Sequence, residues 1–506
     1  MLAIWLAWQL GGEIAANNIR AVTFAGAGII GVIVAVAILR NWRTGVYLFL
    51  IWMLFEDLFR KYMGNGPALF FGKDILAALV YISLFAAIRR GREKKFRPPF
   101  LLFLSFFFWL GVLQVFNQNS PHILYGLLGF KVYFYYIPLA YVGYALIRSD
   151  EDLRKFLVLN VALGGFIAVL GIAQAILGNT FLNPAKLAPE LQELGNLEKS
   201  TPLSNQLFSL PDSVFVSSGR FAQFLILAFI LALGAGGYFL LGNLRGRKIV
   251  FLTIGITGVA TLLCGERGAV MFVMISALAL GAGFLWGAPW RQRQAHRMIK
   301  AIRRSVIVGA MGLALILLLF PQEAGTRITY YAETLLPGSS AYQGGYRTWD
   351  YPIQNLLAVF DGRNWLLGNG IGTASLGMQY VAKLIGQPVP NLWVEEGYGV
   401  LIVEMGIIAP FLWILWTAAL LYYGWGVVRR LLQTRFFPIA FAIFWFAFLL
   451  LYPMTFGGLS AYQNYINNAY LWLLVGILFR LPEIQASTPN LSQGPSMERA
   501  RGGFQF

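Results

Sequence analysis

Stretches of about 20 predominantly apolar residues, the length of helix that crosses a hydrocarbon core, recur along the whole chain. They fall near 19–40, 44–60, 68–88, 99–116, 123–147, 155–178, 220–242, 248–264, 268–287, 305–321, 397–423, 436–456 and 464–480. The pattern predicts an all-α fold, a polytopic transmembrane helix bundle of about 13 spans within a range of about 12–14. The weakest span is 44–60, because Glu56 and Asp57 stand near its end. Polar connections are short except over 179–219 and 322–396. The second of these is rich in Trp, Tyr and Gly and contains apolar runs such as Ile353–Phe360. That composition is unlike disordered sequence, so short helices lying over one membrane face are expected. The chain then divides into an N-terminal transmembrane bundle (1–321), a long loop (322–396), C-terminal transmembrane helices (397–480) and a polar tail (481–506) expected to be disordered.

Charge gives this bundle two different faces. Lys and Arg number 39 against 22 Asp and Glu, a net charge of +17. The basic residues gather in alternate short loops: 40–43, 89–95, 148–155, 245–248, 291–304 and 429–435. This is the positive-inside pattern, not the footprint of a nucleic-acid binder. It places those loops and the C-terminus in the cytoplasm, the N-terminus and the two long loops outside, and the protein in a bacterial inner membrane. Charged residues make up only 12% of the chain, about half the usual share of a soluble domain. Cys264 is the single cysteine, so no intramolecular disulfide forms. Met1–Leu10 is apolar without a basic flank, and no cleavable signal peptide is expected.

Ionisable groups within or beside spans mark candidate sites, because their burial is costly. Arg267 follows Glu266 in a turn too short for a free loop, so the pair either clamps itself or points into the outer vestibule. Arg220 opens a span as an interface anchor or a ligand contact. Lys131 lies inside an apolar run and needs a partner or an anion. Glu56, Asp57, Arg60 and Lys61 read as internal ion pairs, and Asp74 as a helix cap. Arg347 lies in the long loop. Together Arg60, Lys131, Arg220, Arg267 and Arg347 put fixed cations on the outer side, an arrangement that suits a diphosphate. Glu395, Glu396 and Glu404 open the span at 397; they either cap it or supply a general base. No His/Cys/carboxylate set has metal-ligand spacing. Gly368-Asn369-Gly370-Ile371-Gly372 follows no strand and reads as a tight turn, not a nucleotide fingerprint.

Taken in order, Glu266-Arg267-Gly268-Ala269, Arg347-Thr348-Trp349, Leu367–Gly372, Glu395-Glu396-Gly397-Tyr398 and Glu404-Met405-Gly406 resemble the motifs of the bacterial O-antigen ligase and O-antigen polymerase superfamily. The resemblance spans roughly 45–480. It implies a fold similar to integral-membrane glycosyltransferases, with a long, partly helical periplasmic loop. Its donor is a polyprenyl (undecaprenyl) diphosphate-linked glycan, and it uses neither metal nor cofactor. The ligases carry a His in the long loop where this chain has Glu395, and that departure leans toward a polymerase.

The resemblance implies transfer of a lipid-linked oligosaccharide to an acceptor sugar hydroxyl with inversion at the anomeric carbon. Arg267 and Arg347, with Arg220, Lys131 and Arg60, would bind the diphosphate, and Glu395 or Glu396 would accept the proton. Trp349, Trp393 and Tyr398 would contact sugars, unless they belong to the interfacial aromatic belt. Membrane lipid and a chain-length regulator are the implied partners. Ligase-type transfer to a lipid or protein acceptor, small-anion transport, and a structural role in a secretion complex are the alternatives.

Overall fold

The computed structural model describes residues 31–64, 67–184, 198–290, 292–361, 364–392 and 394–487. The expected spans are largely helical within these residues. They begin with α1 (Gly31–Arg40), α2 (Trp42–Met63), α3 (Pro67–Arg89), α4 (Leu101–Val115) and the broken pair α5 (Ile123–Phe134) and α6 (Leu139–Leu146). Next come α7 (Asp150–Leu177), α8 (Ser218–Leu241), α9 (Arg247–Leu263), α10 (Arg267–Gly287) and α11 (Gln292–Leu319). The long loop contains α12 (Pro321–Leu335), α13 (Tyr351–Leu357) and α14 (Met378–Ile385). The chain then returns through α15 (Gly397–Met405), α16 (Ile408–Arg430), α17 (Phe437–Leu451), α18 (Pro453–Gly457), α19 (Ser460–Gln463) and α20 (Tyr465–Ser487). Among the described residues the strands are β1 (Glu198–Ser200) and β2 (Leu207–Ser209), an antiparallel hairpin with Glu198 opposite Ser209.

The chain is a multi-pass α-helical membrane protein. Eight segments are long and apolar enough to cross a bilayer, and α11 with α12, bent by 118° at their junction, makes a ninth if counted as one span. The other expected spans fall short for identifiable reasons. Residues 19–30 lie outside the described residues. Helix α2 carries four buried charges toward its end. Helices α4 and α9 have 15 and 17 residues. The expected span 397–423 is broken at Gly406, whose φ is +83°. Helix α20 continues through Pro482 to Ser487, past the expected start of the tail at 481; residues 488–506 lie outside the described set.

Local sequence explains several helix starts. Ser149 caps α7 and Asp152 answers it in a capping box, with Asp150, Glu151 and Asp152 in the first turn, where carboxylates offset the helix dipole. The Ser217 side chain accepts from the Arg220 amide at the start of α8. Helix α8 is the centre of the bundle: 89% of its apolar window is buried, against 39% for α16. Helices α6 and α20 cross at glycines. A Cβ on Gly143 would lie 2.0 Å from the Leu473 carbonyl oxygen, and one on Gly476 2.0 Å from that of Ala140. Close approach through small residues is how membrane helices gain packing without a hydrophobic driving force. Beside that crossing, Trp413, Trp416 and Trp472 are fully buried, with Trp416 and Trp472 stacked at 5.7 Å.

Candidate functional site

One end of the bundle gathers the C-terminus of α2 and the N-termini of α3, α8, α10 and α20. Most of the unexpected charge is there. Arg267 is the first residue of α10, and its Nη1 donates to Gln343 Oε1 at 2.9 Å. The carbonyl of the same Gln343 accepts the Arg347 amide at 2.9 Å. Residues Tyr346–Asp350 form a π-helical turn that closes the Tyr351 amide onto the Tyr346 carbonyl. Gln343, Arg347 and Tyr351 thus follow one another at turn spacing.

The Arg347 guanidinium lies 4.5 Å from the centre of the Tyr351 ring. The Tyr351 hydroxyl donates to Glu395 Oε2 at 2.5 Å, and Arg347 Nη1 is 3.7 Å from that oxygen. Arg347 and Glu395 are each nearly half exposed, at 47% and 45%. Arg267 and Glu395, far apart in sequence, are therefore each tied to the turn that carries Arg347, Arg267 through the Gln343 side chain and Glu395 through Tyr351 and Arg347 itself.

The other two carboxylates have different roles. Both Glu396 oxygens are engaged by the start of α15, accepting the Tyr398 amide at 2.9 Å and the Gly399 amide at 2.5 Å. Burial pushes its carboxyl up to about 7, against the pull of those two amides. Glu404 is fully buried and accepts from the Tyr133 hydroxyl at 2.7 Å, the Ser375 hydroxyl at 2.8 Å and the Ala374 amide at 2.9 Å. It clamps α5 and the glycine-rich turn onto α15, which corrects its reading as a possible base. The turn itself is wedged into the bundle. Gly372 has φ +92°, and a Cβ there would meet the Tyr125 carbonyl oxygen at 2.0 Å. Gln114, Asn117 and Asn119 hold its start through the Leu367 and Gly368 carbonyls.

Two of the three expected sugar contacts come together. Trp349 and Tyr398 both pack on Phe456, with ring centres 5.9 and 6.5 Å apart. Trp393 lies outside the described residues.

Deeper in the same end, the expected cations are held by carboxylates. Asp57 takes Arg60 at 2.8 Å and Arg220 as a second partner. Lys131 pairs with Asp74 at 2.5 Å, so Asp74 is a partner of Lys131 and not a cap: α3 already begins at Pro67, seven residues earlier. Lys73 pairs with Glu56 at 2.8 Å and Lys61 with Asp212 at 2.9 Å. Internal pairing of Glu56, Asp57, Arg60 and Lys61 is what the sequence led us to expect. Arg220 is more than an interface anchor, since it joins α8 to α2 and covers the Tyr465 ring at 4.8 Å. Glu266 does not clamp Arg267. It pairs with Lys199 of β1 at 2.8 Å and reaches Ser218 at 3.5 Å.

The five expected cations therefore form two tiers, Arg60, Lys131 and Arg220 inside and Arg267 and Arg347 at the mouth. Among the described residues Arg267 has no carboxylate partner. Two guanidiniums, those of Arg60 and Arg220, share the Asp57 carboxylate. The N-termini of α8 and α10 add partial positive charge to the same place.

Gln343, Tyr351 and Phe456 were not singled out from sequence. The i, i+4, i+8 spacing of Gln343, Arg347 and Tyr351 was the available signal. Among the described residues no three His, Cys, Asp or Glu converge as metal ligands would. No family model matches the chain, and no curated protein matches it.

Proposed function

We propose that this protein is a glycan polymerase of the O-antigen polymerase and ligase type. It would work on the outer face of a bacterial inner membrane, in a bundle of about 13 crossings. The observation that carries the reading is that Arg267 is tied through the Gln343 side chain to the turn that carries Arg347, with Glu395 fixed beside Arg347 by Tyr351. Arg267, with no carboxylate partner among the described residues, and Arg347, beside the half-exposed Glu395, supply the cations and the base that diphosphate departure with proton transfer calls for.

The donor's diphosphate lies against Arg267 and Arg347, with Arg220 behind them. Its anomeric C–O bond breaks, and the electron pair leaves on the diphosphate oxygen. Fixed guanidiniums stabilise that developing charge without reorganising. An acceptor hydroxyl oxygen bonds to the anomeric carbon from the opposite face, so the configuration inverts. Its proton passes to Glu395, whose Oε1 makes no hydrogen bond among the described residues. Glu396, with both oxygens capping α15, keeps the next residues in place. Trp349, Tyr398 and Phe456 offer ring faces to sugars.

Purified protein given a lipid-diphosphate oligosaccharide should produce a ladder of lengthened glycan on the lipid. A single transfer to a second lipid or a protein would identify ligase-type chemistry. Glu395→Gln should lower the rate by about 10²–10⁴-fold, the usual share of a general base. An unchanged rate would remove Glu395 from that role.

The inner tier of buried cations favours a second reading, small-anion transport. Bicarbonate flux into proteoliposomes without glycan synthesis would establish it.

A further inference from the structure

The opposite end of the bundle holds a cavity of about 260 Å³, large enough for a headgroup and smaller than sites for drug-sized ligands. Arg92, Glu93, Lys94, Tyr144, Arg148 and Arg480 line it. The basic loops as a class need only the topological explanation. Glu93, Tyr144, Arg148 and Arg480 differ because ion pairs and hydrogen bonds hold them in place.

Glu93 has a side chain only 7% exposed and takes both Arg43 at 2.9 Å and Arg148 at 2.6 Å. Arg43 is also fixed to the Ala145 carbonyl at 3.0 Å. Arg480, 12% exposed, donates its Nε to the Ile147 carbonyl at 3.1 Å and pairs with Glu483. Its guanidinium lies 5.1 Å from the Tyr144 ring centre, and the Tyr144 hydroxyl donates to Glu483. Lys94 reaches the same carboxylate at 2.9 Å. The Arg92 side chain makes no hydrogen bond or ion pair among the described residues. Asp152 stands behind Arg148 as the third-position partner in the capping box of α7, bonded to the Arg148 and Ser149 amides. Against the three carboxyl groups of Glu93, Glu483 and Asp152, the five basic residues Arg43, Arg92, Lys94, Arg148 and Arg480 outnumber the acidic ones around the concavity.

We propose that this cavity is a binding site for a phosphate-bearing anion, separate from the site at the other end. Preorganised guanidiniums that take phosphate oxygens two at a time, beside one unpaired arginine, are the donors such a group requires. Their level at the helix ends suits the headgroup of an anionic phospholipid, and a soluble diphosphate offers the same oxygens.

The full-length protein in neutral detergent, supplemented with phosphatidylcholine, is followed by thermal unfolding in two arms. One titrates inorganic diphosphate, and the other titrates phosphatidylglycerol in mixed micelles. A saturable rise in midpoint is expected. A rise with diphosphate that is weakened in the Arg92 variants identifies the soluble source at this cavity, as distinct from diphosphate held at Arg267 and Arg347, and a rise with phosphatidylglycerol alone identifies the headgroup. Arg92→Ala with Arg148→Ala should weaken the apparent affinity by about tenfold or more, since each lost charge-assisted contact is worth a large part of that factor. Arg92→Ala alone, which removes no internal contact, should shift it in the same direction with the ligand-free midpoint unchanged. No saturable rise in either arm, or equal affinity in the variants, overturns the proposal.

Discussion

Asp57 shows how much one residue carries in this bundle. It is fully buried, takes Arg60 and Arg220, and accepts the Val216 amide at 3.3 Å. Removing its charge takes from Arg60 and Arg220 the carboxylate they share in a low-dielectric interior. Asp57→Asn should destabilise the protein by about 3–5 kcal/mol, the cost of breaking a buried pair from one side. The check is a thermal inactivation curve in detergent; a midpoint equal to wild type would mean that Arg60 and Arg220 are held by other groups.

Glu396 makes a pH-dependent prediction. Burial raises its carboxyl to about 7 from 4.5. A raised carboxyl contributes stability below its unfolded value and loses it as pH climbs through the folded value. Between those two values the unfolding midpoint of the wild type should fall. In Glu396→Gln it should fall less, because the titrating group is gone. Parallel midpoint-versus-pH curves for the two proteins would contradict the assignment.

At the scale of elements, the glycine-rich turn and the π-helical turn position the chemistry. The first is locked between α5 and α15, where Gly372 combines φ +92° with a backbone oxygen 2.0 Å from any added Cβ. Gly372→Ala should therefore cost at least about 2–3 kcal/mol, from strain and displacement together. Reduced yield of folded protein is the expected readout, and a normal yield with normal stability would show that the turn is free to shift.

Hydropathy located the eight helices that are long and apolar enough to cross a bilayer, because lipid demands about 20 apolar residues of a crossing helix. It did not reveal that α2 ends in charges satisfied from α3, α8 and the segment around Asp212, since those partners are 17 to 163 residues away. Nor did it show that the 397–423 stretch breaks at Gly406. Arg267, Arg347 and Glu395 were legible as separate motifs. Their connection through Gln343 and Tyr351 was not, because uncharged polar residues in a loop carry no hydropathic signal.

Across the whole molecule, the two long loops form one layer over the site. The β1–β2 hairpin packs Phe208 on Tyr330 of α12 with ring centres 5.3 Å apart. Glu333 of α12 accepts the Leu203 amide at 2.8 Å and the Ser204 hydroxyl at 3.0 Å. At the other end, basic loops surround the cavity at Arg92. Our account places these two ends on opposite sides of the membrane. Cys264, the single cysteine, is buried, so an introduced thiol can be labelled on a clean background. Ser340→Cys in intact cells should react with a membrane-impermeant maleimide, and Arg92→Cys should react only after the membrane is opened. The reverse pattern would invert the proposed sidedness.

The central claim is that Arg267 and Arg347 receive the departing diphosphate. Chain extension by purified wild type and Arg267→Ala, on the same lipid-diphosphate oligosaccharide, tests it most directly. The account predicts a loss of about 10²–10³-fold or more in the variant, the effect of removing one preorganised charge-stabilising donor, with the unfolding midpoint preserved. Arg267→Lys should recover part of the rate, as the charge returns without the bidentate geometry. Full chain extension by a stably folded Arg267→Ala protein would contradict the account.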